Sequence, residues 1–245
     1  MPVGTTCGDL IFPRKDVVHG ILPEVYRNRI HNILYEEAIA IEESTRDQAN
    51  SARWFEERKT RITASNFHKI VKRKMAVTEK FVDSIINPKS FNSKAVSYGK
   101  KSETKAREVY VTTSGHHVHD CGLVVNPLFP FIGASPDAKI CDNSLTGIME
   151  IKCPYSQRDS TINEAVSGAD FCLENTENGK KLRQNHDYYI QVQGQLLVTG
   201  APFCDFVVYT KKDIHIQRIV PNQEFIQNVL NKLSDFYFMH VYTKI

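Results

Sequence analysis

The sequence predicts a mixed α/β or α+β fold, a central sheet with helical cover, and three observations carry that reading. Apolar residues recur at helical spacing as far as residue 111, the period shortens to two from residue 116, and a further helix, strand pair and helix complete the chain. Strands bracketed by helices in this order give a sheet covered by helices.

In chain order, Pro2, Gly4, Gly8, Pro13 and Gly20 punctuate an irregular start, and Pro23 opens a helix. Ile30, Ile33, Leu34, Glu37, Ala38 and Ile41 lie along one stripe of it, while Glu36, Glu37, Glu42 and Glu43 make the other face acidic, suited to packing or partner contact. A second helix runs from Ala52 to Arg58. A third begins near Ser65 and buries Phe67, Ile70 and Val71, and residues 78 to 87 and 94 to 111 are helical as well. Ser114-Gly115 stops the last of these. His117, His119 and Cys121 then alternate against Val118 and Asp120, ahead of the apolar run Leu123, Val124 and Val125. Strands follow at Phe131 to Ala134, Ala138 to Cys141 and Gly147 to Lys152, the first two joined through Ser135, Pro136 and Asp137. After a variable segment to about residue 185 come a helix from Asp187 to Val198, strands at 203–209 and 214–219, and a closing helix at 222–240.

A chain of 245 residues with 41% hydrophobic and 24% charged residues can bury one substantial core, and neither disorder nor a fibrous architecture is suggested. The net charge of +3 is too small to name a partner. Its distribution says more. Arg58, Lys59, Arg61, His68, Lys69, Lys72, Arg73 and Lys74 crowd one segment, and Lys94, Lys100, Lys101, Lys105 and Arg107 another. Taken alone, such runs read as solvated faces. The six cysteines contain no CxxC pair, which predicts free thiols in a reducing compartment. No apolar run approaches the ~18–20 residues a bilayer requires, and residues 1–15 lack a signal-peptide core, so an intracellular protein is expected, in nucleus or cytoplasm.

The chemistry concentrates between residues 133 and 155. On a strand, side chains at i and i+2 share a face, so Glu150 and Lys152 project together while Met149 and Ile151 point into the core. Asp137 follows a proline at the end of the preceding hairpin arm, where its carboxylate can lie beside Glu150. Two carboxylates that close repel unless a cation joins them, and hard oxygen ligands suit Mg²⁺, with Mn²⁺ as substitute. Lys152 could then help orient and deprotonate the attacking water, or neutralise charge building on a phosphoryl transition state.

Pro136-Asp137 with Glu150-Ile151-Lys152 resembles the signature of the PD-(D/E)xK nuclease superfamily. More closely, the chain resembles the YqaJ-type viral recombinase and bacteriophage lambda exonuclease family, over roughly residues 50 to 220 in ordered blocks. The blocks are Trp54 and Arg58 with Ile62-Thr63-Ala64-Ser65, then Tyr98-Gly99-Lys100 with Glu103, then Ser135-Pro136-Asp137, Glu150-Ile151-Lys152-Cys153-Pro154, and Gln191-Val192-Gln193.

The resemblance implies a restriction-endonuclease-like mixed central sheet flanked by helices, with residues 1–45 as a helical N-terminal extension and 46–245 as the nuclease domain. It implies a metal-dependent exonuclease that digests linear duplex DNA 5′ to 3′, in recombination, repair or viral DNA processing. Asp137 and Glu150 would hold the metal with the carbonyl of Ile151, Lys152 would be the catalytic lysine, Glu103 an accessory acid, and Gln191 an organiser of water or substrate. Arg58 and Ser65 would hold the terminal 5′-phosphate. Read from the residues, Gln191 and Gln195 share a helix face, and Ser65 can cap a helix start that attracts anions. Gln193 should face elsewhere, and Trp54 reads as core. Ring-forming trimers and a single-strand-annealing partner belong to the same implication.

Three other readings compete. The run His116, His117, His119 and Cys121 suggests a zinc site, since His117, His119 and Cys121 alternate onto one strand face, although no fourth ligand is evident there and exposed polar strand residues are the simpler reading. An endonuclease of the same superfamily would not need the Arg58 and Ser65 pocket. A catalytically silent DNA-binding scaffold would not need Asp137, Glu150 and Lys152, all of which are present.

Overall fold

The computed structural model describes residues 10–88 and 93–244. The expectations that fall on residues 1–9, among them Pro2, Gly4, Gly8 and Cys7, lie outside that range.

The first helices are α1 (Glu24–Arg27), α2 (Tyr35–Ser44), α3 (Ala52–Lys59), α4 (Phe67–Val71), α5 (Glu79–Ile86) and α6 (Lys94–Ser114), with the short strand β1 (Ile62–Thr63) between α3 and α4. Ser51, Thr78 and Ser93 cap α3, α5 and α6 through their hydroxyls, each accepting a backbone N–H three residues on. Gly115 ends α6 at φ +73°, a left-handed conformation that favours glycine, as expected from Ser114-Gly115. Strands β2 (His117–His119), β3 (Val124–Val125), β4 (Ile132–Ala134), β5 (Ala138–Asp142) and β6 (Leu145–Lys152) follow. After α7 (Ile162–Ala165), the hairpin β7 (Leu173–Thr176) and β8 (Gly179–Leu182), and α8 (Asp187–Thr199), the chain ends with β9 (Cys204–Tyr209), β10 (Ile214–Ile219) and α9 (Gln223–Phe236).

The central sheet has five strands in the order β10-β9-β6-β5-β2, antiparallel except for the parallel pair β6 and β9. A second sheet, β1-β4-β3, stands beside it. Strands β6 and β9 are buried on both faces. Ile148, Cys204, Phe206 and Val208 enter the main core with α4, α5, α8 and α9, while Met149, Ile151 and Val207 enter a second cluster beneath Ala106 and Tyr110 of α6. Fully burying side chains such as Met149 and Ile151 stabilises by about 1.5–3 kcal/mol each, which resists any slip of β6. Helix α8 presses onto α4 so closely that a Cβ on Gly194 would sit 2.4 Å from the Phe67 ring.

Several expectations need correction. The helix opened by Pro23 is two, with residues 28–34 outside either. Tertiary contacts divide it: Tyr26 stacks on Phe238 at 4.4 Å, and Arg29 reaches the Phe238 carbonyl and lies over the Tyr242 ring, so this stretch follows the C-terminal helix. Leu34, placed on the buried stripe, is exposed, and Glu42, placed on the acidic face, is buried. Strands β4 and β5 do not form a hairpin but belong to different sheets, and Ser135-Pro136-Asp137 is the crossing between them. The segment read as variable contains α7 and the β7-β8 hairpin. Its Leu173 and Leu182 enter the core, but too few residues alternate around the turn for the pattern to show. The last helix changes hydrogen-bond pattern after Phe236 and ends as a π-turn over Tyr237–Val241.

Glu42 joins α2 to the central sheet. Lys139 Nζ lies 2.9 Å from Glu42 Oε1 with both side chains almost wholly buried, Arg46 pairs with Oε2 at 2.8 Å, and the Gly122 N–H donates to Oε1 at 2.9 Å. Burial works to raise the Glu42 pKa, but the Arg46, Gly122 and Lys139 contacts outweigh it and hold the carboxyl below its ordinary value. Removing one partner leaves the other buried and unpaired. Glu42→Ala is therefore expected to cost about 3–5 kcal/mol in urea denaturation, with most of it recovered in the Glu42→Met, Lys139→Met double variant. A loss below about 1 kcal/mol in Glu42→Ala would show that the pair contributes little.

Candidate active site

Asp137 stands where the chain enters β5. Its N–H donates to the Met149 carbonyl at 3.0 Å, and its Oδ2 accepts the Ile151 N–H at 2.6 Å, so the carboxylate is held against β6 beside the Glu150-Ile151-Lys152 run. On β6 itself, Lys152 Nζ donates to Glu150 Oε1 at 2.6 Å and to Gln191 Oε1 at 3.1 Å. Gln191 Nε2 donates to the same Glu150 oxygen at 2.6 Å. Asp137, Glu150, Lys152 and Gln191 are thus brought together by one strand pair and one helix.

Asp137, Glu150 and Lys152 open into a cleft of about 410 Å³. Val96, Gly99 and Glu103 of α6 line it, and Asp137, Glu150, Ile151 and Lys152 face them. Cys153, Tyr155 and Tyr188 also line it. Glu103 therefore joins the site from another element, while its neighbour Arg107 pairs with Asp120 at 2.7 Å.

Charge in the cleft is out of balance. Burial, then the charge of Glu150, raises the Glu103 pKa; burial, then Glu150 and Glu103, raises that of Asp137 well above the carboxylate range despite Lys152 and the Ile151 N–H. For Lys152, burial disfavours the ammonium, but Glu150 and Asp137 outweigh it and raise the pKa. Lys152 is therefore a cation facing three carboxyl groups. Hard oxygen donors with excess negative charge fit a small divalent cation, and Asp137, Glu150 and the intervening Ile151 carbonyl are the donors at hand. Among the described residues no three His, Cys, Asp or Glu side chains are gathered closely enough to hold a metal by themselves. The same finding covers the His116 to Cys121 stretch, where the His116 ring bonds to the Tyr110 hydroxyl at 2.9 Å and Cys121 is buried.

Arg58 lies flat on the Trp54 ring at 3.9 Å, and the Trp54 indole N–H donates to Ser135 at 2.9 Å, which ties this arginine to the crossing that carries Asp137. Burial lowers its pKa to about 10, and among the described residues no carboxylate pairs with it. It is a cation with its fork uncommitted. Trp54 is half-buried, serving as the surface on which Arg58 rests. Ser65 is exposed but does not cap a helix. It sits within a 3-10 turn, Ala64–Asn66, because Thr63 and Asn66 turn the chain tightly off β1 before α4 begins. Of the basic segments, Lys72 pairs with Asp187 and Lys105 with Glu108, whereas Lys94 and Lys101 line an open pocket beside the cleft.

Two residues near the chemistry were given no role by sequence, although Gln195 was placed on the helix face of Gln191. Tyr188 puts its ring 4.5 Å from Lys152 Nζ, and Gln195 Nε2 donates to Glu150 Oε2 at 2.6 Å. Helical spacing from Gln191 was the available signal for both, at i−3 and i+4. Gln193 turns away, bridging Val220 and Asn222 as its offset of two predicts.

Known proteins share this arrangement of elements. The alkaline nuclease of Autographa californica nuclear polyhedrosis virus is 28% identical across 55% of this chain and 34% of that protein, so the chain spans about a third of that relative's length. The alkaline exonuclease LHK-Exo from Laribacter hongkongensis, solved in complex with dAMP, superposes with a TM-score of 0.61 at 26% identity, covering 77% of this chain and 92% of that one. A phage-related exonuclease from Haemophilus somnus 129PT shares the fold, with a TM-score of 0.51 at 17% identity over 76% and 96% of the two chains. The model of the YqaJ-like viral recombinase domain matches residues 53–202, well over half of the chain, which therefore belongs to that family.

Proposed function

We propose that this protein is a Mg²⁺-dependent deoxyribonuclease that digests linear duplex DNA from its ends, 5′ to 3′. The observation that carries the reading is the joining of Asp137, Glu150 and Lys152 in the wall of one open cleft, with Gln191 hydrogen-bonded to both Glu150 and Lys152. Membership of the recombinase family and the dAMP complex of LHK-Exo support it.

Asp137, Glu150 and the Ile151 carbonyl would hold the cation, which when bound supplies Lewis acidity toward the scissile phosphate. The remaining work falls to side chains. Lys152, held as a cation, neutralises charge gathering on the phosphoryl oxygens, and its raised pKa favours this role over that of a base. Gln191 fixes the ammonium and the Glu150 carboxylate relative to each other. Glu103, with its raised pKa, can exchange a proton at the cleft. Arg58 on Trp54 offers a bidentate fork to a terminal phosphate, and Ser65 contributes a hydroxyl. Assembly into a ring, as in the trimers of the resembling family, would make digestion processive.

Lys152→Ala is expected to abolish cleavage while fold and DNA binding persist, because the ammonium acts chiefly in the transition state. Gel-shift and turnover assays on the same preparation check this, and near-normal turnover would remove the catalytic assignment.

The strained carboxyl cluster makes a second prediction. A carboxyl whose pKa is raised on folding favours the fold at pH below its unfolded value of about 3.9 and loses that contribution as pH rises through the folded value. Ionising Asp137 in the metal-free protein therefore opposes folding. Asp137→Asn should raise the melting temperature of metal-free protein by about 2–4 °C, the effect of ~1 kcal/mol in a chain of this size, and should remove the stabilisation Mg²⁺ gives the wild type. A lower melting temperature for metal-free Asp137→Asn would contradict the electrostatic account.

The activity itself is tested on end-labelled duplex and covalently closed circles, with Mg²⁺ or chelator. Digestion should need a free end and should run at least about tenfold faster from a 5′-phosphate than from a 5′-hydroxyl, since a charge-assisted phosphate contact is worth roughly 1.5–3 kcal/mol. Arg58→Ala should lose that preference. Equal rates on both ends would remove the phosphate pocket, and efficient cutting of circles would favour an endonuclease.

A further inference from the structure

The two oxygens of Glu150 are held differently. Oε1 takes its hydrogen bonds from Lys152, which lines the cleft, and from Gln191. Oε2 takes its bond from Gln195, which is 1% exposed, lies one helical turn deeper into α8 and forms no part of the cleft wall. One oxygen is bonded to a residue of the cleft wall, and the other to a residue buried in the core.

The tether is directional. Gln195 Nε2 donates to the carboxylate, and its own amide carbonyl is buried with no hydrogen-bond partner. Turning the amide over would set a carbonyl oxygen 2.6 Å from a carboxylate oxygen, so the charge of Glu150 dictates which way the amide points and leaves the carbonyl orphaned. The backbone beneath cannot adjust easily, because the neighbouring Gly194 is pressed against the Phe67 ring and residues 189–199 of α8 are buried except for Gln191.

We propose that Gln195 is a metal-selectivity residue: by tethering Oε2 it confines Glu150 to one-oxygen coordination and biases the cleft toward a small octahedral cation and against Ca²⁺. The inference rests on the reading that Glu150 holds a divalent cation. Mg²⁺ demands near-ideal octahedral geometry at short distances, which single oxygens supply, whereas Ca²⁺ takes six to eight oxygens and commonly grips a carboxylate through both. To chelate through both oxygens, Glu150 would have to rotate Oε2 out of the core and break its bond to Gln195. The amide would then be left with neither donor nor acceptor satisfied in a closed interior.

Gln195→Met removes the donor at nearly constant volume, and Gln195→Leu removes it with less reach. Binding is read without turnover, from the loss of the free Mn²⁺ electron paramagnetic resonance signal on titrating protein, followed by displacement with Mg²⁺ or Ca²⁺. Both variants are expected to raise the ratio of Ca²⁺ to Mg²⁺ affinity by about tenfold, within the range that outer-shell partners of metal ligands command. An unchanged ratio in a folded variant overturns the inference and leaves the metal reading intact. Absence of Mn²⁺ binding by the wild type overturns the metal reading and this inference together. A measurement on the wild type covers the case in which neither variant folds: infrared difference spectra of the carboxylate stretches should show one-oxygen coordination with Mg²⁺ and no two-oxygen signature at Glu150 with Ca²⁺. A two-oxygen signature there overturns the proposal.

Discussion

Everything at the cleft depends on β6 being buried on both faces. Met149 and Ile151 are committed to the cluster beneath α6, and Ile148 to the main core, so the strand has one register in which its apolar side chains are satisfied. In that register Glu150 enters the main-core side and Lys152 follows it two residues on. Shifting β6 by one residue would exchange a glutamate and a lysine for a methionine and an isoleucine at four positions. The chemistry is held in place by the hydrophobic effect acting on its neighbours.

A strand so placed must bury a carboxylate, and α8 accommodates it. Gln191 and Gln195, one turn apart, bring amide donors to the two oxygens of Glu150 and replace the water it loses. Donors alone do not balance the charge: Lys152, with Arg107 and Lys100 near Glu103, does not offset burial and mutual repulsion, and the pKa values of Asp137 and Glu103 stay raised. The contrast with Glu42 and Lys139 is instructive. There too a lysine and a glutamate meet in the interior, but Arg46 and the Gly122 N–H complete the pairing, no second carboxylate intrudes, and the carboxyl pKa falls. One Glu–Lys pair is electrostatically closed and holds elements together. The other is left over-acidic, an arrangement that stability alone does not favour and that a cation would relieve.

The residues ahead of α3 are tied to the rest of the molecule at several points. Phe12 lies in the main core, His19 bonds to the Ala201 carbonyl, Tyr26 to Asp235, and Thr45 accepts the Leu123 N–H. Such contacts span most of the chain in sequence and leave no local period. That is why the apolar residues from Ile30 to Ile41 read as one helix: their spacing was compatible with it, and only the pull of Phe238 and Tyr242 on Tyr26 and Arg29 reveals the break.

What the sequence determined by itself was local. Alternation about residue 150 put Glu150 and Lys152 on one face, hydroxyl caps and Gly115 bounded the helices, and the i, i+4 pair of glutamines marked one face of α8, because each depends only on backbone geometry within a few residues. Tertiary structure decided which faces met. It set β4 and β5 in different sheets, carried Glu103 across from α6, laid Arg58 on a tryptophan anchored to Ser135, and aimed Gln195 at the inner oxygen of Glu150. It also turned Glu42 from one glutamate among four on a helix into the buried partner of Lys139. These are contacts between residues far apart in the chain, set by how sheet and helices share one core, and no periodicity records them.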